Sequence, residues 1–142
     1  MISRRALVNG VTLHYVAVGS GPAVLCLHGW PQNHREFLPI FEAFADNYRF
    51  IAPDLRGYGD SDKPPRGYDL WTLAGDVAGL VPAMGEDRAA VVGHGWGGVV
   101  GWTVAALHPR RVNALVAVAA PHPLAIRGAV AREPRGQGRA LL

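Results

Sequence analysis

Hydrophobic and polar positions along this chain follow two rhythms, one of period two and one near 3.6. Val11–Val18 (VTLHYVAV) alternates in part and predicts a strand, closed by Gly19, Ser20, Gly21 and Pro22. Residues 6–8 (ALV), ahead of the turn pair Asn9-Gly10, predict its hairpin partner. Ala23–Leu27 (AVLCL) is a short unbroken apolar run, the pattern of a strand covered on both faces. Phe37, Leu38, Phe41 and Phe44 then recur on one side of a predicted helix, with Pro39 in its first turn, where a missing N–H costs little. Residues 50–52 predict a strand, and a loop dense in Gly, Pro and Asp covers 53–67. Leu73, Val77, Leu80, Val81 and Met84 predict a helix that Gly85 stops. Residues 89–92 (AAVV) predict a buried strand, 93–98 a tight glycine-rich turn and 99–107 a helix ended by Pro109. Val112–Val118 (VNALVAV) predicts a last strand, and a weak helical pattern follows Pro121-His122-Pro123. Strands alternating with helices imply an α/β fold with a largely parallel sheet.

Composition narrows the class. The chain has 142 residues, 49% hydrophobic and 18% charged, enough for one core and too apolar for intrinsic disorder. One cysteine, Cys26, permits no internal disulfide, which fits a reducing compartment; mid-strand, it reads as an inert core thiol. The longest purely apolar stretch, residues 114–121, is far below the roughly 20 residues of a membrane span, and no signal-peptide core follows Arg4 and Arg5. A cytoplasmic protein that binds neither membrane nor nucleic acid is expected. The net charge of +3 supports this once located: residues 1–121 hold 10 Lys/Arg and 10 Asp/Glu, so the excess lies in Arg127, Arg132, Arg135 and Arg139 against Glu133. Four spaced arginines read as a solvated segment.

Two segments carry candidate chemistry, and both follow strands read as buried, where open α/β sheets place their ligand crevice. The first is His28-Gly29-Trp30-Pro31. The second is Gly93-His94-Gly95-Trp96-Gly97-Gly98, between a strand and a helix. Strand, sharp turn and helix are the context of a nucleophile elbow, which needs tiny residues two before and two after the nucleophile; Gly93 and Gly97 satisfy that. An oxyanion hole would take one backbone N–H from Trp96 and one from Trp30.

With these residues in view, the chain resembles the N-terminal half of an α/β-hydrolase of the epoxide hydrolase and haloalkane/haloacetate dehalogenase type. The resemblance rests on His28-Gly29-Trp30-Pro31-Gln32, on Ala52-Pro53-Asp54-Leu55-Arg56-Gly57-Tyr58-Gly59-Asp60-Ser61, on the turn at residues 93–98 and on Ala120-Pro121-His122-Pro123, and it spans residues 4–125. It implies hydrolysis of small electrophiles, epoxides or haloacids, in two steps and without a cofactor. A carboxylate attacks carbon to give an ester, and a water activated by histidine then hydrolyses that ester. It also implies a core over residues 1–125, and the start of a cap region or a tail over 126–142. The expected fold stops after about the sixth strand, without the cap domain and last strands, leaving that strand's edge open to self-association.

The departures are equally definite. Where this branch carries Asp at the nucleophile position, the chain has Gly95, and serine is absent there too. No Asp or Glu lies between Arg88 and Arg132, so no acid follows the sixth strand, and no late His base is present. The expectation is a catalytically silent chain, either part of a hydrolase or a binding module of the same fold. His28 is expected to hydrogen-bond within its own loop and His94 to point away from the site. His14, His34 and His108 read as surface or strand residues without partners, and His122 as a lone histidine near the pocket. Trp30 and Trp96 read either as pocket walls or as indole N–H donors to a halide or carboxylate. No His/Cys/Asp/Glu grouping has metal-ligand spacing in sequence, so no metal is expected. A rival pattern, Gly93-x-Gly95-x-x-Gly98, formally matches the dinucleotide fingerprint. It sits on a late strand, holds bulky His94 and Trp96 where a pyrophosphate must approach, and has Asn113 where the ribose acid belongs.

Overall fold

A computed structural model describes residues 1–125 and 127. In chain order it contains β1 (Ile2–Val8), β2 (Val11–Val18), β3 (Ala23–Leu27), a 3₁₀ turn (His34–Phe37), α1 (Leu38–Phe44), β4 (Arg49–Pro53), α2 (Leu70–Ala83), β5 (Ala89–His94), α3 (Trp96–Leu107) and β6 (Val112–Val118). The strands form one sheet in the order β1-β2-β4-β3-β5-β6. The pairings β1–β2 and β2–β4 are antiparallel; β3–β4, β3–β5 and β5–β6 are parallel. Asn9 and Gly10 turn the first hairpin, both at positive φ, as a two-residue loop of this kind requires. Each predicted element is present. β1 starts earlier than residue 6, and α3 begins at Trp96 rather than at residue 99.

The central strand explains its own composition. All five residues of β3 are buried. Leu25 and Leu27 face a cluster with Ile51, Leu73, Val77, Leu80, Val91, Val100 and Val104, which α2 and α3 cover. Val24 and Cys26 face the other way, onto Phe37, Phe41, Phe50 and Ala52 under the 3₁₀ turn and α1. A strand with two dry faces has no polar positions to alternate with. Burial pushes the Cys26 thiol up to about 12, so it stays protonated.

Phe44 departs from the expected apolar stripe and is 51% exposed, whereas Phe37 and Phe41 are buried. Phe44 is the last residue of α1, where the helix ends. On α2, Asp69 caps the N-terminus by accepting the Thr72 N–H at 3.0 Å, and Gly85 at φ +84 follows the last turn. Asp76 interrupts the apolar stripe of α2 yet is buried. Its carboxylate takes Nε and Nη2 of Arg56, both at 2.7 Å, and Nδ2 of Asn9 at 2.8 Å. This bidentate pair fastens the loop after β4 to the helix.

β6 pairs with β5 alone among the described strands, and Val116 and Val118 are 55% and 50% exposed. Its seven residues carry no charge and no proline. Such an edge templates further strand pairing. Expressed as these 142 residues, the protein is expected to elute above its monomer mass with light-scattering detection, and Val116→Lys to shift it toward monomer. A monodisperse unsubstituted monomer would contradict this. The segment assigned above to a cap region or tail, residues 126–142, lies outside the described residues apart from Arg127.

Candidate functional site at the carboxyl ends of β3 and β5

β3 and β5 are parallel neighbours, with Leu27 beside Gly93, so the chains leaving their carboxyl ends run side by side. From β3 comes residues 28–33; from β5 comes the turn into α3. Their approach is backbone against backbone. A Cβ on Gly97 would collide with the carbonyl oxygens of Leu27 and His28, one on Gly93 with the Gly97 carbonyl, and one on Gly98 with the Ala120 side chain. Glycine is therefore a packing requirement at all three positions.

Gly95 sits at the apex, with φ +52 and ψ −117, and caps α3. Its N–H donates to Val118 O at 2.9 Å, and its carbonyl accepts from Gly98 and Val99. A Cβ here would meet only Gly29 Cα, at 3.7 Å. Unlike its glycine neighbours, this position has room for a side chain in front of it. Trp96 is the first residue of α3, so its N–H is among the donors the helix leaves unpaired.

The loop after β3 is held from beneath. His28 is fully buried; its Nε2 accepts the Leu55 N–H at 3.0 Å, which leaves the ring proton on Nδ1 for Gly29 O at 2.8 Å. Burial lowers its pKa and keeps the ring neutral, as a ring that must accept at Nε2 requires. The Gly29 N–H donates to Glu36 Oε2 at 2.9 Å, Gln32 N–H to Gly29 O at 3.0 Å, and the Trp30–Pro31 peptide is cis. His94 turns toward this loop, where its Nδ1 meets the other Glu36 oxygen. Trp30 stands 72% exposed, whereas Trp96 packs against the main core. His122 is exposed and lies edge-on to Trp102, 4.7 Å between ring centroids, in an apolar groove of about 600 Å³ shared with Leu70, Trp71 and Leu107.

Two histidines read from sequence as partnerless are not. His14 and His34 are buried, and both bond Asp54 through Nδ1, at 2.9 and 2.8 Å. Asp54, fully buried, also accepts the His34 and Asp60 N–H groups, each at 2.9 Å. Ser61 Oγ completes the node, donating to Asp54 O at 2.5 Å and accepting the His14 N–H at 2.9 Å. Burial alone would push the Asp54 carboxyl up; the hydrogen bonds from His34, Asp60 and His14 outweigh it and hold it at about 2. The spacing in sequence gives no hint of this grouping: 20 positions separate His14 from His34 and His34 from Asp54, yet the fold brings one donor atom of each within 4.8 Å of the others. Glu36, Asp54, Arg56 and Asp76 had no assigned role from sequence. A carboxylate on the apolar stripe of α2 was itself a signal, since it must find a buried partner there.

A family model described as alpha/beta hydrolase fold matches residues 22–139. The chain is 49% identical over 96 residues to a soluble epoxide hydrolase of Corynebacterium sp. (strain C12), covering 68% of this chain and 34% of that protein. It is 39% identical over 130 residues to epoxide hydrolase 3 of Xenopus tropicalis, covering 89% and 35%. Among solved structures, a variant of an epoxide hydrolase from Bacillus megaterium matches with TM-score 0.90 and 33% identity over 96% of this chain and 49% of that one. An epoxide hydrolase from Vigna radiata matches with TM-score 0.82 and 36% identity, covering 84% and 38%. The chain spans about a third of the length of these curated relatives.

Two outcomes are expected of the geometry. Gly97→Ala forces backbone apart between β3 and α3 and should cost on the order of 3 kcal/mol or prevent folding, read by thermal melts; a melt within a degree of the parent would refute the packing argument. The Asp54 carboxyl ionises more readily folded than unfolded, so its contribution is complete above about pH 4 and lost as pH falls through 2. Denaturant titrations between pH 2 and 6 should show that slope, on the order of 2 kcal/mol in total, and Asp54→Asn should flatten it while lowering stability throughout.

Proposed function

The chain belongs to the α/β hydrolase fold family, and on that premise we propose that it forms the oxyanion side of an epoxide hydrolase-like site while lacking the group that attacks. The carrying observation is Gly95: it holds positive φ at the apex between β5 and α3, with open space where a side chain would project. In this reading the turn is a nucleophile elbow whose nucleophile is absent.

The chemistry of the class fixes what the residues would do. A carboxylate oxygen attacks an epoxide carbon, the ring C–O bond breaks, and the alkoxide takes a proton. Water then adds to the ester carbonyl carbon, releasing a diol and restoring the carboxylate. The second step puts negative charge on the carbonyl oxygen. Backbone N–H groups of Trp30 and Trp96 would stabilise that charge, one from each of the two loops packed together at Gly29 and Gly95. His28, Gly29, Pro31, Glu36 and His94 act by holding the first loop, and Gly93, Gly97 and Gly98 by letting the second lie against it. Glycine at position 95 removes the first step, and without it the second has no ester to act on. The open space in front of Gly95 favours a second reading, a binding module that takes a small ligand there without turning it over.

The 142-residue chain is expected to show no turnover of epoxides, haloacetates or aryl esters above background. Gly95→Asp should restore attack without release: mass spectrometry after incubation with an epoxide should find at most one stable adduct, on residue 95. The substitution should cost about 1–3 kcal/mol, because an ordinary residue is strained at this φ and ψ. Saturable turnover by the unsubstituted chain that Trp96→Ala abolishes would overturn the proposal. Binding of an epoxide or its diol without adduct or turnover would favour the binding module.

A further inference from the structure

The hydrolase reading leaves the His14–Asp54–His34 node without a chemical role. His14 comes from β2, His34 from the 3₁₀ turn and Asp54 from the end of β4, so three separate segments each contribute one buried donor. One ligand atom from each lies within 4.8 Å of the others. We propose that these three side chains form a binding site for a zinc-class divalent cation, held by Nδ1 of His14, Nδ1 of His34 and one oxygen of Asp54.

The donor set selects the ion. Two imidazoles and a carboxylate are a zinc set, with a fourth position left for water. Calcium and magnesium demand oxygen ligands, and this cluster offers one carboxylate. The supporting contacts are those a metal site needs. Ser3 Oγ lies 2.9 Å from His14 Nε2, fixing the ring from its far side, and the His34 and Asp60 N–H groups orient the carboxylate. Zinc bonds of about 2.0–2.1 Å in a tetrahedron separate neighbouring ligands by about 3.3 Å. His14 Nδ1 lies 2.9 Å from Asp54 Oδ2 and His34 Nδ1 lies 2.8 Å from Oδ1, and one ligand atom of each residue lies within 4.8 Å of the others, so small side-chain movements bring the three to that separation.

In the metal-free node each imidazole Nδ1 contacts Asp54. A metal-bound imidazole presents its Nδ1 lone pair to the ion and carries its proton on Nε2, where His14 donates to Ser3 Oγ. The ion ties β2, the segment before α1 and the end of β4 together, and acts as a structural staple outside the crevice at Gly95.

The test uses the full chain, stripped with a chelator and titrated with zinc chloride alone. Calorimetry and elemental analysis after desalting should give one zinc per chain, and the melting temperature should rise with zinc. His34→Gln and His14→Gln should each weaken binding at least tenfold, and His108→Ala should leave it unchanged. If a histidine variant fails to fold, X-ray absorption of the zinc-loaded parent still decides, with two imidazoles and one carboxylate expected. Failure to retain zinc, undiminished affinity in folded His34→Gln, loss of binding in His108→Ala, or fewer than two imidazoles around the ion would each overturn the proposal. None of these readouts depends on catalysis, so failure here leaves the Gly95 reading standing.

Discussion

The constraint on which this end of the molecule depends is the close approach of backbone to backbone where β3 and β5 give way to their loops. Leu27 and Gly93 are register partners, and the first turn of α3 lies directly on the carbonyls of Leu27 and His28. No side chain fits between them. The helix can begin immediately after the strand only because residues 93, 97 and 98 add no volume. That immediate start brings the α3 amino terminus beside the loop that carries Trp30. A larger separation would leave two unrelated loops at the edge of a sheet.

A second constraint acts from below. The loop after β4 must return to the sheet while exposing polar backbone, and it does so around Asp54. One buried carboxylate gathers two imidazoles and two N–H groups. A buried anion with fewer partners would be costly, so the histidines are as necessary to Asp54 as it is to them. The same loop supplies the Leu55 N–H that orients His28, and Arg56 locks it to Asp76 on α2. The loop after β3 is thus seated on a layer of satisfied polar groups, and that layer is in turn fixed to the helix covering the sheet.

What could be read from the residues divides along the same line. β3 and α2 announced themselves because burial on two faces, or along one stripe, leaves a periodic trace in adjacent positions. The glycine-rich turn was legible because its steric demand is local. The Asp54 node was not, since its members come from three elements and hydrogen bonding leaves no period. His14 occupies a strand position that alternation alone would let face either way. Phe44 misled because its spacing from Phe41 fits the stripe while its place at the last residue of α1 leaves it exposed. Glu36 lies seven residues from the glycine it braces, across a turn that sequence does not disclose.

The glycines and Gly95 therefore carry different kinds of information. Residues 93, 97 and 98 are small because strand, loop and helix would otherwise collide, and that demand holds whether or not any reaction takes place. Their pattern identifies a fold and says nothing about activity. Position 95 is under no such pressure, since a Cβ there meets only one atom, at ordinary contact distance. What opposes a side chain at 95 is backbone strain, which glycine relieves. A nucleophile at the apex would have to be held against that strain by the packing around it, and the packing here is intact. The chain thus keeps a sharp strand-to-helix turn at positive φ while carrying the residue for which that geometry is least costly. A side chain at position 95 would project into open space, so chemistry at this turn depends on that position and not on the glycines around it.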